Sequence, residues 1–425
     1  MSVIVIGAGQ AGLAVSHELM KLGVEHLVLE RARVAQAWRD RWNSFTLVTP
    51  NWTMDLPDSP YDGEDSEGHV PRDEIVAYLE KYALTMAAPV HEGVHVRSLR
   101  PGADNFRLDT SRGALTAHTV VVCTGAYQQP YRPAAAATAL PAGLLVLNAS
   151  DYRDPAGLPP GKILVIGSGQ TGCQLAEEMH LAGRDVFLSC GRAPWTPRRL
   201  DGIDIVTWLA KQTSFYDQPL SALPSPAARL VANLQTTGAR GGHDLHYRSL
   251  QALGVPLLGH LSQVDGIRAT FTDDLGESVA FGDARWADIR QLLTVELPAR
   301  GVGIPELPLP APFRYRPLLN LDLREFGAVI LTAGFRPDYG WIHAPVTDAT
   351  RFPLTSDGAS TMLPGLYFCG VHFLRNRRSS LLFGIGDDAQ IIARQILSRS
   401  TQHSNQPRLP NNPQSPHRWG FGQQR

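Results

Sequence analysis

The chain has 425 residues, enough for two or three domains with substantial cores, and its 39 basic and 40 acidic side chains leave a net charge of −1. That balance excludes a general attraction to nucleic acid or to an anionic membrane surface. Its apolar runs, such as "TVVVCTG" and "AVILTAG", have the length of strands and fall well short of the roughly 20 residues that cross a bilayer. The first strand begins at once, so a removable signal peptide would take the first motif with it, and a cytoplasmic location is expected.

"VIVIGAGQAGLAVSHEL", Val3 to Leu19, reads as a strand, a glycine loop and a helix. Gly7 allows the tight turn, Gly9 lets a pyrophosphate approach the backbone, and Gly12 lets helix and strand pack closely. Gln10 and Ala11 then open a helix whose N–H groups and dipole favour phosphate. The next apolar run, "EHLVLE", ends at Glu30, followed by Arg31. A carboxylate there accepts hydrogen bonds from the ribose of an adenosine without a 2′-phosphate, which suits FAD or NAD. The stretch from Arg31 to Met54 is rich in Trp and Arg. Its indoles at Trp38, Trp42 and Trp52 either face a flavin ring or fill the core. Trp38 is assigned to the cofactor site, and Thr49 and Asn51 are candidate neighbours of the flavin. "VVVCTGAYQQP" then reads as a strand ending in a Thr124-Gly125 turn.

At an offset of 160 residues the opening motif returns as "ILVIGSGQTGCQLAEEM", with Gly167, Gly169, Gln170, Thr171 and Gly172 in register. Two such units predict an α/β fold of two Rossmann-like dinucleotide-binding domains. In the second copy the residue matching Glu30 is Cys190, and Arg192, Arg198 and Arg199 follow. Exchanging a carboxylate for guanidinium groups favours a nucleotide with a 2′-phosphate, so this site is read as NADPH-binding. "AVILTAGFRPD" repeats the Thr-Gly strand design, and "GLYFCGV" reads as a further strand. "LLFGIGDDAQIIARQIL" reads as a loop and helix, with Gly386 beside the cofactor and Asp387 at the N-cap. The chain is therefore expected to return to the flavin domain. The expected domains are 1–155 and 319–399 for the discontinuous flavin domain and 156–318 for the inserted NADPH domain. Residues 400–425 are expected to form a disordered tail or an arm.

The four cysteines, Cys123, Cys173, Cys190 and Cys369, include no close pair, so the disulfide-reductase chemistry of many two-nucleotide flavoproteins is not expected. His243 and His246 lack a third ligand and read as ordinary polar residues; no metal site is assigned. "PSPAARLVANL" has a helix-like start, a second helix-like part follows the Gly-rich break, and "PELPLPAPFRYRPL" reads as an extended linker.

Together these motifs resemble the flavin-dependent monooxygenases of the two-dinucleotide-binding type: the flavin-containing, plant auxin-forming and Baeyer–Villiger enzymes, and a bacterial flavoprotein group sharing segments like "WNSFTLVTPNW" and "LLFGIGDDA". The resemblance covers roughly residues 1 to 398. It implies FAD and NADPH as cofactors, with O2 and a small molecule as substrates. Oxygen transfer would proceed through a flavin C4a-hydroperoxide to nitrogen, sulfur or a ketone, the cofactor supplying the hard chemistry. A homo-oligomer is left open. The family's fingerprint before the second glycine loop is degraded here. Tyr152 matches its aromatic, but Asn148 stands at its His, Ala142 at its Phe and Leu144 at its Gly. Asn148 is kept as a flavin-proximal candidate. Val371 stands where many reductase-type relatives have Asp. An NADPH oxidase or dehydrogenase-type flavoprotein and an FAD- and NADPH-binding redox sensor are the alternatives.

Overall fold

A computed structural model describes residues 2–137 and 140–404. The expected tail lies almost wholly outside the described residues. Val3–Ile6 is an interior strand of a seven-stranded sheet. It is flanked by His26–Leu29 on one side and Thr119–Val122 on the other, all parallel. Ile4 and Val5 are fully buried. A parallel strand covered on both faces has no solvent side, which is why its sequence is a continuous apolar run rather than an alternation. Val90–His91 continues the sheet beyond His26–Leu29, and Leu366–Phe368 pairs with Thr119–Val122. The sheet is thus closed by residues from the far end of the chain, as the returning strand "GLYFCGV" predicted.

The second sheet repeats this plan. Lys162–Ile166 lies between Val186–Ser189 and Phe326–Leu331, again parallel. The offset of 160 survives in the pairing: Val3 faces His26, and Ile163 faces Val186. It survives in the helices too, Gln10–Lys21 and Gln170–Leu181. The sheet boundaries differ from the expected domain limits. Leu145–Asn148 pairs with Phe326–Leu331, so both strands belong to the second sheet although they were expected in the flavin domain. The chain crosses between sheets along two linkers, and these pair with each other: Gln129–Pro130 is antiparallel to Phe335–Arg336.

The C-terminal helix begins at Ile385, two residues before Asp387, and packs on Gln10–Lys21, with Ala389, Ile392 and Ala393 buried. Asp387 is therefore in the first turn rather than at the N-cap. "PSPAARLVANL" forms only a 3-10 turn, Pro226–Leu230, whereas Tyr247–Leu253 is a helix capped by His246. Residues 305–318 run without strand or helix, as the proline density requires. No helix among the described residues is long and apolar enough to cross a membrane.

The glycines of each loop do different work. Gly7 and Gly167 have φ of +105° and +106°, where only glycine sits without strain. A Cβ on Gly12 would lie 1.8 Å from the Gly7 carbonyl oxygen, and one on Gly172 would lie 2.0 Å from that of Gly167. A Cβ on Gly9 meets nothing within 4 Å. Gly12→Ala should therefore lower folding stability by about 1–3 kcal/mol through overpacking, while Gly9→Ala should change it by less than about 0.5 kcal/mol. Denaturant titration of the two variants beside the parent protein measures both.

Candidate functional site

Both glycine loops open into one cleft of about 2300 Å³ between the two sheets. Gly7, Gly9, Gln10 and Ala11 line one part of it, and Gly167, Gly169, Gln170 and Thr171 another. Gly12 and Gly172 lie beneath, where close packing needs them. Each helix has glycine at its N-cap, Gly9 or Gly169, and no side chain caps either end. The first-turn N–H groups are thus left for a ligand.

The two glutamines have matching tasks. Gln10 donates from Nε2 to the Ser380 carbonyl at 2.9 Å and accepts at Oε1 from Trp38 Nε1 at 2.9 Å. Gln170 donates to the Leu234 carbonyl at 3.0 Å and to Thr236 Oγ1 at 3.1 Å. Each ties its loop to a segment far along the chain. Glu30, at the cleft, accepts one backbone N–H on each carboxylate oxygen, from Ala8 at 2.8 Å and Ala32 at 2.9 Å. Each oxygen keeps lone pairs for a ribose hydroxyl. Arg31 is exposed at the rim. Thr124 and Gly125 line the cleft and are fixed by Gln128 Nε2, at 2.8 and 3.0 Å. Gln128 Oε1 accepts from the Asp338 N–H of the other linker.

At the second loop Arg192 is exposed and lines the cleft. Arg198 and Arg199 do not, which corrects their expected place on the nucleotide. Arg198 is 1% exposed. It pairs with Asp204 at 2.5 Å and donates to the Val48 carbonyl and to His69 Nε2, each at 2.9 Å. Arg199 donates to the carbonyls of Gly241 and Gly242 at 2.6 and 2.7 Å. The sequence put Arg192 first with help from Arg198 or Arg199; the fold shows that Arg192 lines the cleft while the other two are held by protein groups. His260, 68 residues beyond Arg192, comes up beside Gly191 and is held by Asp274 at 2.6 Å. No sequence signal linked it to the loop.

Other candidates separate in the same way. Thr49 lines the cleft and bonds Thr53 at 2.6 Å. Asn51 is 2% exposed, with its amide spent on the Asp65 carbonyl and the Val70 N–H, so it is a bracket and not a flavin neighbour. Asn148 accepts from Arg132 and donates to Asp151 at 2.8 Å. It fixes the end of an edge strand, and the next two residues, Ala149 and Ser150, line the cleft in its stead. Gly386 packs on Pro57, and Asp387 pairs with Arg378 at 3.1 Å; neither lines the cleft, whereas Ile385 does. Trp52 donates to Thr207 at 3.0 Å, joining the two halves outside the cleft. His372, which the sequence reading passed over, lines the cleft with Nδ1 bonded to Ser380 Oγ at 2.8 Å and its ring edge-on to Tyr127.

His69, Arg198 and Asp204 form a buried bridge between the halves. The His69 side chain is wholly buried. Since Nε2 accepts from Arg198, Nδ1 carries the proton and donates to the Thr49 carbonyl at 3.1 Å. Gly238 makes the approach possible, because a Cβ there would lie 2.0 Å from the Leu47 carbonyl oxygen. Residues 47–49, on the cleft wall, are thus held from behind by the second half.

Burial, reinforced by the adjacent Arg198 charge, holds the His69 pKa down to about 4. The unfolded chain takes its proton near pH 6.5 and the folded ring only near pH 4. The stabilisation is therefore complete above pH 6.5 and is lost as pH falls toward 4. His246 and His372 are depressed in the same direction by burial. Denaturation midpoints measured between pH 7 and 4.5 should fall, and His69→Gln should make that decline shallower without removing it.

The sequence profile of the pyridine nucleotide-disulphide oxidoreductases matches residues 4–213. The chain is 29% identical to an uncharacterized CzcO-like oxidoreductase of Geobacillus kaustophilus over 403 residues, covering 94% of this chain and 99% of the relative. It is 30% identical to the indole-3-pyruvate monooxygenase YUCCA1 of Oryza sativa over 182 residues, covering 41% of this chain and 44% of that one. Its fold resembles that of the flavin-containing monooxygenase from Stenotrophomonas maltophilia, with a TM-score of 0.67 at 18% identity over 94% of this chain and 98% of that one.

Proposed function

We infer that this chain is a flavin monooxygenase, that its first glycine loop holds FAD and its second NADPH, and that the product is a small molecule carrying one atom of O2. The observation that carries this reading is that two uncapped helix N-termini open into one cleft, so that two dinucleotides can lie within reach of each other. Both loops fit their ligands. Nothing stands over the Gly9 backbone, and only Ala232 Cβ, at 3.5 Å, would meet a Cβ on Gly169. In this reading the flavin unit is residues 1–155 and 319–399, trimmed of the two strands that join the other sheet, and 156–318 is the nicotinamide unit.

The flavin, when bound, supplies the oxygen chemistry. The chain supplies binding, orientation and exclusion of water. Glu30 receives the adenosine ribose of FAD, and Gln10 and Trp38 hold the loop that carries its pyrophosphate. Arg192, with His260 beside it, receives the 2′-phosphate of NADPH. Residues 214–236 wall much of the cleft. Three contacts from residues 375–378 bind this wall to the C-terminal segment. The Arg375 carbonyl accepts from Leu220 N–H at 3.0 Å, Arg377 donates to the Phe215 carbonyl at 3.1 Å, and Arg378 pairs with Asp217 at 3.1 Å. Nitrogen, sulfur or ketone oxygenation all fit this arrangement.

Two outcomes check the reading. A charge-assisted hydrogen bond contributes roughly 1.5–3 kcal/mol, so Arg192→Ala should weaken NADPH about ten- to a hundredfold and leave NADH nearly unchanged; equal losses for both would remove the 2′-phosphate contact. Reaction under ¹⁸O2 with amines, thioethers and ketones should place one labelled oxygen in a product. NADPH consumption matched in full by hydrogen peroxide, with no labelled product from any class, would move the protein to the oxidase alternative, toward which the altered fingerprint at Asn148 points.

A further inference from the structure

Arg41 follows the short helix Gln36–Arg39 and lines the cleft. Its carbon lies 5.7 Å from the centre of the Phe45 ring and 5.3 Å from that of Tyr127. Ring faces hold a guanidinium plane in place without using its N–H groups. Among the described residues no acceptor takes a hydrogen bond from it. The neighbouring Asp40 carboxylate accepts instead from Gln36 at 2.8 Å. Other arginines of the cleft are committed: Arg285 to Asp288 at 3.0 Å, Arg377 to Phe215 and Gln218, and Arg229 to Asp348 at 4.0 Å. Arg31, Arg97 and Arg192 are exposed, and water solvates them.

Arg41 is in a different position. It is only partly exposed, and the surrounding protein pulls its pKa down through loss of hydration, with Tyr127 and Asp40 opposing that shift. A guanidinium with five donors, partly withdrawn from bulk water and with none of those donors taken up by the protein, is costly unless something anionic arrives. Its place in the cleft narrows what arrives. Trp38, three residues earlier, is bonded to Gln10 of the first loop. Tyr127 is on the first linker and packs against Phe335 of the second, 5.4 Å between ring centres. Arg41 therefore sits by the crossing of the two linkers, on the path from one loop to the other.

We propose that Arg41, held between the rings of Phe45 and Tyr127, is the docking point for an anionic oxygen pair on a ligand of the cleft. The chemistry is that of a phosphate or a carboxylate, since the guanidinium fork matches two oxygens of either. The position beside the linkers favours the pyrophosphate of the nicotinamide nucleotide where it passes from its own loop toward the flavin. A carboxylate on the oxygenation substrate is the second source, and the flavin's own pyrophosphate the third. The proposal rests on the reading of the cleft as a two-nucleotide site.

The test uses the full-length FAD-loaded protein and its Arg41→Gln and Arg41→Lys variants. Oxidised protein is titrated with NADP⁺ and, separately, with benzoate as a carboxylate probe, following the flavin absorbance. FAD retention on gel filtration and the circular-dichroism spectrum are recorded alongside. Arg41→Gln should weaken one of these ligands about ten- to a hundredfold, and Arg41→Lys, which keeps the charge but loses the fork, should weaken it less. Weakening of NADP⁺ assigns the anion to the nicotinamide nucleotide, weakening of benzoate to a substrate carboxylate, and loss of FAD alone to the flavin pyrophosphate. Each of these upholds the docking role. FAD retention, NADP⁺ affinity and benzoate affinity all unchanged in Arg41→Gln would overturn it. Parent protein that takes up no FAD at all would instead contradict the function proposed above.

Discussion

The contact on which the rest depends is between two glycines, the first and third of each loop. With no Cβ on Gly12 or Gly172, the helix start sits directly against the carbonyl of Gly7 or Gly167. That brings the N-terminus of each helix to the end of its central strand and aims its free N–H groups outward. The middle glycine is then left nearly bare at the surface, where the proposed function puts a pyrophosphate. Stability and binding are thus divided among residues two or three apart: the third glycine holds the fold, and the second makes room for the ligand. Because the offset of 160 is kept in sequence, strand register and helix limits, the chain builds the same receptor twice.

Two receptors make one site only if they face each other, and that is the work of less regular parts. The linkers pair as Gln129–Pro130 with Phe335–Arg336, and Gln128 bonds across them. Arg198 reaches from the second half to the Val48 carbonyl and to His69 of the first. Its charge is buried against Asp204, an arrangement whose value is in geometry: removing one member of such a pair costs about 3–5 kcal/mol, whereas an apolar replacement of the whole can be neutral. The Gly-rich segment around residues 238–242 exists to let the backbones meet at Leu47 and His69. The arginines at 375, 377 and 378 then hold the wall of residues 214–236 in place.

The sequence was most informative where chemistry constrains the backbone. A turn that only glycine can make, an apolar strand buried on both faces and a helix start three residues on are local requirements, so both βαβ units and the returning strand and helix could be read directly. The position of Glu30 just after its strand was legible for the same reason, since strand length places it. Arg198, Arg199 and Asn51 were misread because side-chain direction in an irregular loop depends on partners far away, such as Asp204 for Arg198 and the Val70 N–H for Asn51. The domain limits missed Leu145–Asn148 because an edge strand of a parallel sheet finds its partner, Phe326–Leu331, some 180 residues later. Arg41, His260 and His372 carry no motif; what marks them is a cleft that exists only once both sheets are in place.

The central claim is that the two dinucleotides share this one cleft closely enough to react. Anaerobic mixing of FAD-loaded protein with NADPH, and with NADPH deuterated at the nicotinamide C4, tests it directly. The account predicts loss of the flavin's visible absorbance, slowed by deuterium on one face of the nicotinamide, as hydride passes straight between the ligands. Tight binding of both FAD and NADPH with no bleaching of the flavin would contradict it.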